Sequence, residues 1–291
     1  MILTVTLNPA LDRILFIPAF VSGNANRIYR RENCIGGKGA HVSYNLADLG
    51  VASTATGIAM GPDGQVFMQS LLDRGVRCDF YVPQSDGNTR TNYIIVEDTG
   101  VCSQVCEKGP TITPEMLDAY LAFYTKRAQD ADIIVISGNA SNYVFAEGSS
   151  FQQALLNAGK EAGARVVLDA NGTSLKEGVT CSPFLIKPNE QELHELTGMP
   201  TDTDENILAA IRSLDPYGIG IVAVTLGGRG SILRVYDKYY RASVSAAKLR
   251  NEVGCGDAFM AGFLYGIVRE LPPKECIAFA TACGAARRVP R

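Results

Sequence analysis

Ile133-Ile-Val-Ile136, Phe151-Gln-Gln-Ala-Leu-Leu-Asn-Ala-Gly-Lys-Glu-Ala162 and Val166-Val-Leu168 follow one another in the middle of the chain. The outer two are short apolar runs rich in β-branched residues, as strands buried on both faces are. The middle segment puts Phe151, Leu155, Ala158 and Ala162 on one helical face. Phe184-Leu-Ile186 and Ile221-Val-Ala-Val224 continue the series of buried strands. Strand, helix, strand, helix from about residue 130 onward predicts a parallel sheet covered on both faces. Upstream, the first strand is expected over residues 2–7. Val42, Leu46 and Leu49 share a helical face, and Gly50 is placed to end that helix. Thr113-Pro114 reads as N-cap and first residue of a helix through Met116, Leu117 and Leu121.

Two stretches break this rhythm, at about residues 12–34 and 90–107. In the second, Tyr93-Ile-Ile-Val96 leads to a turn at Gly100 and then to Val101 through Cys106. Both read as antiparallel strands and a hairpin. A small secondary sheet, assembled from two insertions in one domain spanning residues 1–291, accounts for them.

Composition narrows the function classes. The 291 residues are 46% hydrophobic and 20% charged, which excludes a disordered chain. The net charge of −3 argues against a general nucleic-acid or anionic-membrane binder, while leaving room for a local basic pocket for a small anion. No window approaches the about 18 uncharged apolar residues of a membrane span, and the start has no basic leader. A cytoplasmic protein is expected, with its eight cysteines reduced. Cys102 and Cys106, the closest pair, and the two histidines, His41 and His194, show no metal-site spacing.

Four segments carry candidate chemistry. Asn251-Glu-Val-Gly-Cys-Gly-Asp-Ala-Phe-Met-Ala-Gly-Phe263 places Gly254 and Gly256 before Asp257 and an apolar helix. Glycines at a helix start let backbone N–H groups converge on an anion, though an Asp in a first turn is equally an ordinary cap. Gly36-Gly-Lys-Gly39 precedes the helix that ends at Gly50. It is not a Walker loop, since no Ser or Thr follows Lys38, yet it permits close backbone approach to a ligand. A structural turn with a solvated lysine is the other reading. Lys187-Pro-Asn-Glu-Gln-Glu192 follows a buried strand, at the ligand-bearing edge of open α/β sheets. Asn189 and Glu192 could face a hydrated magnesium or form a capping box. Thr225-Leu-Gly-Gly-Arg-Gly230 is either the wall of a nucleotide site or a tight hairpin before Ser231. A dinucleotide fingerprint is missing, because Gly254-x-Gly256-x-x-Phe259 lacks its third glycine. No esterase elbow or zinc-protease motif is present.

Taken together and in this order, these motifs resemble the PfkB (ribokinase-like) family of carbohydrate kinases. The opening Thr6-Leu-Asn-Pro-Ala-Leu-Asp12, the Gly-Gly-Lys-Gly box, Thr89-Arg-Thr-Asn92 and Asn251-x-Val-Gly-x-Gly-Asp257 look most like its 1-phosphofructokinase and tagatose-6-phosphate kinase branch. The resemblance implies a three-layer α/β/α fold with a mostly parallel sheet and a small β-sheet lid over the sugar. It would allow a homodimer through that lid. It implies Asp257 as the base and Gly254, Cys255 and Gly256 as an anion hole. Asp12 would hold sugar hydroxyls with the backbone of Gly37, Lys38 and Gly39. Arg27, Lys38 and Arg90 become candidates for a phosphate already on the substrate, and Asn92 and Ser137 for the same pocket. Asn189 and Glu192 would organise Mg2+ through water, Lys187 would approach ATP, and Thr225, Gly227, Gly230, Cys283 and Gly284 would line the nucleoside.

Three departures from the family pattern stand out. Ala40-His41 follows the glycine box where the family usually has x-Asn, so His41 enters the substrate site. Ser137-Gly-Asn-Ala-Ser-Asn142 replaces the usual Ser-Gly-Ser-Leu-Pro-Pro. The sequence stops at Arg287-Arg-Val-Pro-Arg291, about one helix before its relatives are expected to. The expectation is therefore an ATP- and magnesium-dependent kinase of a phosphorylated ketohexose, with fructose 1-phosphate first. Tagatose 6-phosphate, fructose 6-phosphate and a weakly active sugar-phosphate-binding regulatory relative are the alternatives.

Overall fold

A computed structural model describes residues 1–138, 150–244 and 254–286. The Asn139 to Asn142 replacement, Asn251 to Val253 and the Arg287 to Arg291 ending lie outside the described residues. The chain runs β1 (Ile2–Thr6), β2 (Ala10–Ile17), β3 (Arg30–Gly36), α1 (Lys38–Asp48), β4 (Ser53–Gly57), α2 (Gly61–Leu72) and β5 (Arg77–Cys78). Next come β6 (Arg90–Glu97), β7 (Cys102–Cys106), α3 (Pro114–Ala128), β8 (Ile133–Ser137), α4 (Phe151–Glu161), β9 (Arg165–Asp169) and α5 (Gly172–Val179). The rest is β10 (Leu185–Ile186), α6 (Glu190–Thr197), α7 (Asp204–Arg212), β11 (Ile221–Thr225), β12 (Ser231–Val235), β13 (Lys238–Ala242), α8 (Cys255–Val268) and α9 (Pro273–Ala286).

A nine-stranded sheet has the order β13-β12-β11-β10-β9-β8-β1-β4-β5. From β11 to β5 every pairing is parallel, whereas β12 and β13 pair antiparallel at one edge. Alternation along each strand loads the two faces separately. Leu3, Val5, Ile134, Ile136, Val166 and Leu168 pack with α3, α4 and α5. Ile2, Ile133, Val135, Val167 and Leu185 pack with α1, α8 and α9. Because both faces are covered, the strands read as unbroken apolar runs.

Strand β4 reads Ser-Thr-Ala-Thr-Gly and carries no such signal. It is buried all the same, beside β1. Hydroxyls take the place of hydrocarbon there: Ser53 Oγ donates to Ser43 Oγ on α1 at 2.8 Å, and Thr4 Oγ1 lies 2.8 Å from the same oxygen. A buried polar group so paired loses little on leaving water. The N-cap at Thr113 forms as expected, its hydroxyl accepting from the Met116 N–H at 3.3 Å.

The second sheet is four-stranded, in the order β3-β2-β6-β7. Its outer pairs are antiparallel, but the central β2–β6 pair is parallel, with Asp12 opposite Asn92. The sequence reading expected antiparallel strands only. The difference follows from the path of the chain. β2 leaves the large sheet directly after β1, and β6 leaves the same body after α2 and β5. Both start from the same side and therefore run the same way.

Candidate active site

A cleft of about 770 Å3 opens at the carboxyl ends of the central strands, where open α/β sheets bind ligands. Thr6 ends β1, Ser137 ends β8, Asp169 ends β9 and Thr225 ends β11, and all four line it. Lys187 follows β10 directly. The N-termini of α1 and α8 and the inner face of the small sheet complete the walls.

Helix α8 begins in this cleft because Gly254, at φ 77°, takes the left-handed conformation that turns the chain into it. Gly254 brings no side chain of its own to cap the helix, and the first turn lines the cleft. Gly254, Cys255, Gly256 and Asp257 all line the cavity. Asp257 is buried, and that burial pushes its carboxyl above the ordinary range, with Asp169 adding to the push. His41, Lys187 and Lys38 pull it the other way. Oδ2 of Asp257 lies 3.4 Å from Nδ1 of His41. The other ring nitrogen, Nε2, is 2.7 Å from the carbonyl oxygen of Ile35.

Lys187 is almost wholly buried, with Nζ 3.3 Å from Asp169 Oδ1. Burial alone would lower its pKa, but the carboxylates of Asp169, Glu192 and Asp257 outweigh it and hold the ammonium above its usual value. Lys38 Nζ stands 3.8 Å from Asp169 Oδ1 and 4.0 Å from Glu192 Oε1. The capping box is formed: Glu192 N–H donates to Asn189 Oδ1 at 2.8 Å and Asn189 N–H to Glu192 Oε2 at 2.9 Å. Asn189 Oδ1 is thereby committed to α6, while Glu192 keeps Oε1 toward Lys38.

At the other end, the small sheet places Asp12 and Asn92 side by side. Asn92 Nδ2 donates to Asp12 Oδ1 at 2.7 Å, and Arg90 Nη1 donates to Asn92 Oδ1 at 3.3 Å. Burial raises the pKa of Asp12, against the pull of the Asn92 hydrogen bond and of His41 and Arg90.

Of the residues expected at a site, these and Gly37, Gly227, Gly230 and Gly284 meet in the one cleft. The turn of Gly227 to Arg229 is both things the sequence left open: it joins β11 to β12 as a hairpin and lines the cavity. Arg27 does not arrive. It is exposed on the segment between β2 and β3 and is not part of the cleft lining. Lys38 is in the cleft, but among Asp169 and Glu192 rather than beside Arg90. Gly39 lies on the face of α1 against β1, where a Cβ would sit 2.4 Å from the Val5 carbonyl oxygen. Cys283 does not line the cleft and packs toward Gly262 of α8, whose missing side chain admits its sulfur.

Asp169 was missed by the motif reading. Its only local sign is an acidic residue at the end of a buried parallel run, Val166-Val-Leu-Asp169. Its Oδ2 has no hydrogen-bond donor among the described residues, and neither Thr6 Oγ1 nor Ser137 Oγ has a partner there. Buried polar atoms left over at the rim of a cleft suit a polar ligand. Lysines and a helix N-terminus at one end fit phosphate oxygens. Among the described residues no group of three His, Cys, Asp or Glu forms a metal cage. The Glu192 carboxylate fits a magnesium ion carried mainly by phosphate and water. No helix among the described residues is long and apolar enough to cross a membrane.

Residues 6–288 match the pattern of the pfkB family carbohydrate kinases. The 1-phosphofructokinase of Bacillus subtilis (strain 168) is 34% identical over 286 residues, covering 98% of this chain and 92% of that protein. A tagatose-6-phosphate kinase of Staphylococcus epidermidis is 29% identical over 287 residues, covering 98% and 91%. Among solved structures, phosphofructokinase-2 from Escherichia coli in complex with fructose-6-phosphate superposes with a TM-score of 0.84 at 22% identity, covering 98% and 92%. Arabidopsis thaliana ribokinase complexed with ribose and ATP gives 0.76 at 25% identity, covering 98% and 91%.

Proposed function

This chain belongs to the pfkB family of carbohydrate kinases, and from that premise we propose that it phosphorylates fructose 1-phosphate to fructose 1,6-bisphosphate, using ATP and magnesium. The observation that carries the proposal is the convergence of Asp257, the first turn of α8 and the Asp12–Asn92 pair in a single cleft. Phosphoryl transfer asks for positioning and charge neutralisation more than for covalent chemistry. Asp12 and Asn92 hold the sugar hydroxyls. Arg90, the cation beside them, takes the phosphate that the substrate already carries.

Asp257 accepts the proton of the attacking hydroxyl, and its raised pKa makes it the stronger base for that step. The N–H groups of Gly254, Cys255 and Gly256 face the charge that develops on the transferred group, in a buried setting where such donors count most. Lys187 and Lys38 neutralise the nucleotide phosphates from the opposite side. Magnesium, when bound, would supply further charge neutralisation on the phosphate oxygens, and Glu192 would hold it through water. Thr225, Gly227, Gly230 and Gly284 form the surface against which the nucleoside lies.

The choice of substrate rests on the relatives named above, of which the 1-phosphofructokinase is the more similar. ADP release from ATP and magnesium tests it, with fructose 1-phosphate, tagatose 6-phosphate, fructose 6-phosphate, fructose and ribose in parallel. The expected result is a kcat/KM for fructose 1-phosphate above that for every other sugar. Preference for tagatose 6-phosphate or fructose 6-phosphate overturns the substrate and keeps the reaction. Silence across the panel from a folded protein that binds ATP overturns the reaction and favours a regulatory, sugar-phosphate-binding role.

A further inference from the structure

His41 stands where it can do more than touch the substrate. A carbonyl oxygen only accepts, so the 2.7 Å contact with Ile35 requires the hydrogen on Nε2. In the neutral ring Nδ1 then carries the lone pair, and it lies 3.4 Å from Asp257 Oδ2. Two lone pairs facing each other are held together by one proton between them. With that proton the contact is an ion pair between imidazolium and carboxylate. Without it, both groups are bases turned to the same point.

We propose that His41 and Asp257 act as one proton-accepting pair, His41 being the positioning residue that receives the proton Asp257 takes from the sugar hydroxyl. This rests on the kinase reading above. In the step, the hydroxyl O–H bond breaks and the oxygen pair forms a bond to the terminal phosphorus of the nucleoside triphosphate. The bond from that phosphorus to the bridging oxygen breaks, and its electron pair leaves with the nucleoside diphosphate. The proton passes to the Asp257 carboxylate and comes to rest on Nδ1 of His41. The pair then holds one proton and no further charge than imidazolium beside carboxylate. Product release and loss of that proton to solvent restore the base.

The surroundings are balanced rather than one-sided. Asp12 on β2 and Asp169 at the end of β9 favour a protonated pair. Lys38 on α1 and Lys187 after β10 oppose it. A proton already on the pair before substrate binds blocks the base, so turnover has an acid limb that belongs to the pair and not to Asp257 alone. Sharing a proton between two sites raises its affinity above that of either one. Removing His41 therefore moves the limb to lower pH.

Two measurements test this. The first follows kcat against pH for the wild type and for His41→Asn and His41→Gln. The expected result is a fall in kcat of roughly 10-fold or more at neutral pH, with the acid limb displaced downward by about 1 pH unit or more. The second follows the ring resonances of His41 by NMR in the wild type and in Asp257→Asn. The chain has two histidines, so His194→Gln assigns them. The expected result is a downfield Nδ1 proton of the His41 ring in the wild type at the foot of the acid limb, lost or moved upfield in Asp257→Asn. An unmoved limb in an active His41 variant, or a His41 Nδ1 resonance indifferent to Asp257→Asn, overturns the pair. If both His41 variants fail to fold, the NMR comparison decides alone. A wild type without kinase activity but with the NMR coupling intact overturns the kinase reading and leaves the shared proton standing.

Discussion

Asp257 is kept at a cost to the fold. Its folded pKa lies above its unfolded value because the carboxylate is buried at the start of α8. Such a group favours the folded state when protonated, and that advantage disappears as pH rises through the raised pKa. Asp257→Asn is uncharged at every pH. It is expected to melt higher than the wild type, with the gap opening above the ordinary carboxylate range and levelling off beyond the raised value. Thermal melts across that pH series check this. The same variant is expected to lose about 10²- to 10⁴-fold in kcat with little change in KM for ATP, because it removes a base and leaves the nucleotide phosphates their lysines. Turnover within a few-fold of wild type would remove Asp257 from its role. Asp257 and Asp12 announce themselves in short motifs, since each sits next to the glycines or the strand that place it. Asp169 does not, because its function depends on Lys187 and Lys38, which lie on other elements.

Helix α1 lies against β1 through a glycine. Gly37, at φ 107°, starts the helix, and Gly39 then passes so close to β1 that a Cβ would meet both the Val5 carbonyl and Thr6 Oγ1, at 2.4 and 2.5 Å. One of those atoms is backbone and cannot swing away. Gly39→Ala is expected to lower stability by about 1–3 kcal/mol, read as a lower midpoint in urea at unchanged m-value. The helix would also be pushed outward, carrying His41 and Lys38 with it. The expected second effect is a loss of kcat larger than the loss of sugar affinity, checked by steady-state kinetics on the folded fraction. At this scale the sequence was readable where the period of hydrophobic residues matched one element, as in β8, α4 and β9. It was unreadable at β4, where buried hydroxyls on β1, α1 and β4 satisfy one another and leave no apolar run.

Across the molecule, a single carboxylate ties the small sheet to the large body. Asp63, in the first turn of α2, accepts from Arg13 Nη2 on β2 at 2.9 Å and from Asn88 Nδ2 ahead of β6 at 2.9 Å. Thr91 Oγ1, on β6, is 3.3 Å from the same carboxylate. These two strands carry Asp12, Arg90 and Asn92. Asp63→Asn keeps the shape and removes the charge that gathers them. It is expected to raise KM for the sugar phosphate by about 10-fold, while KM for ATP changes little, since the nucleotide end rests on the large sheet. Equal changes in both constants would show that Asp63 supports the fold generally.

The alternation of buried β-branched runs with helical periods determined the layered parallel sheet, because both signals are local and survive in the order of residues alone. The glycine motifs pointed to two helix starts where backbone could approach a ligand, and both line the cleft. Three things were decided only by the tertiary structure. The central pair of the small sheet is parallel, because both strands leave one body in one direction. Arg27 stays outside the cleft and Lys38 enters its phosphate end, because position along a motif does not say which way a loop or a helix face turns. The His41–Asp257 contact joins the starts of α1 and α8, more than two hundred residues apart in sequence. No spacing rule links them, and they meet because both helices end their approach at the same edge of the sheet.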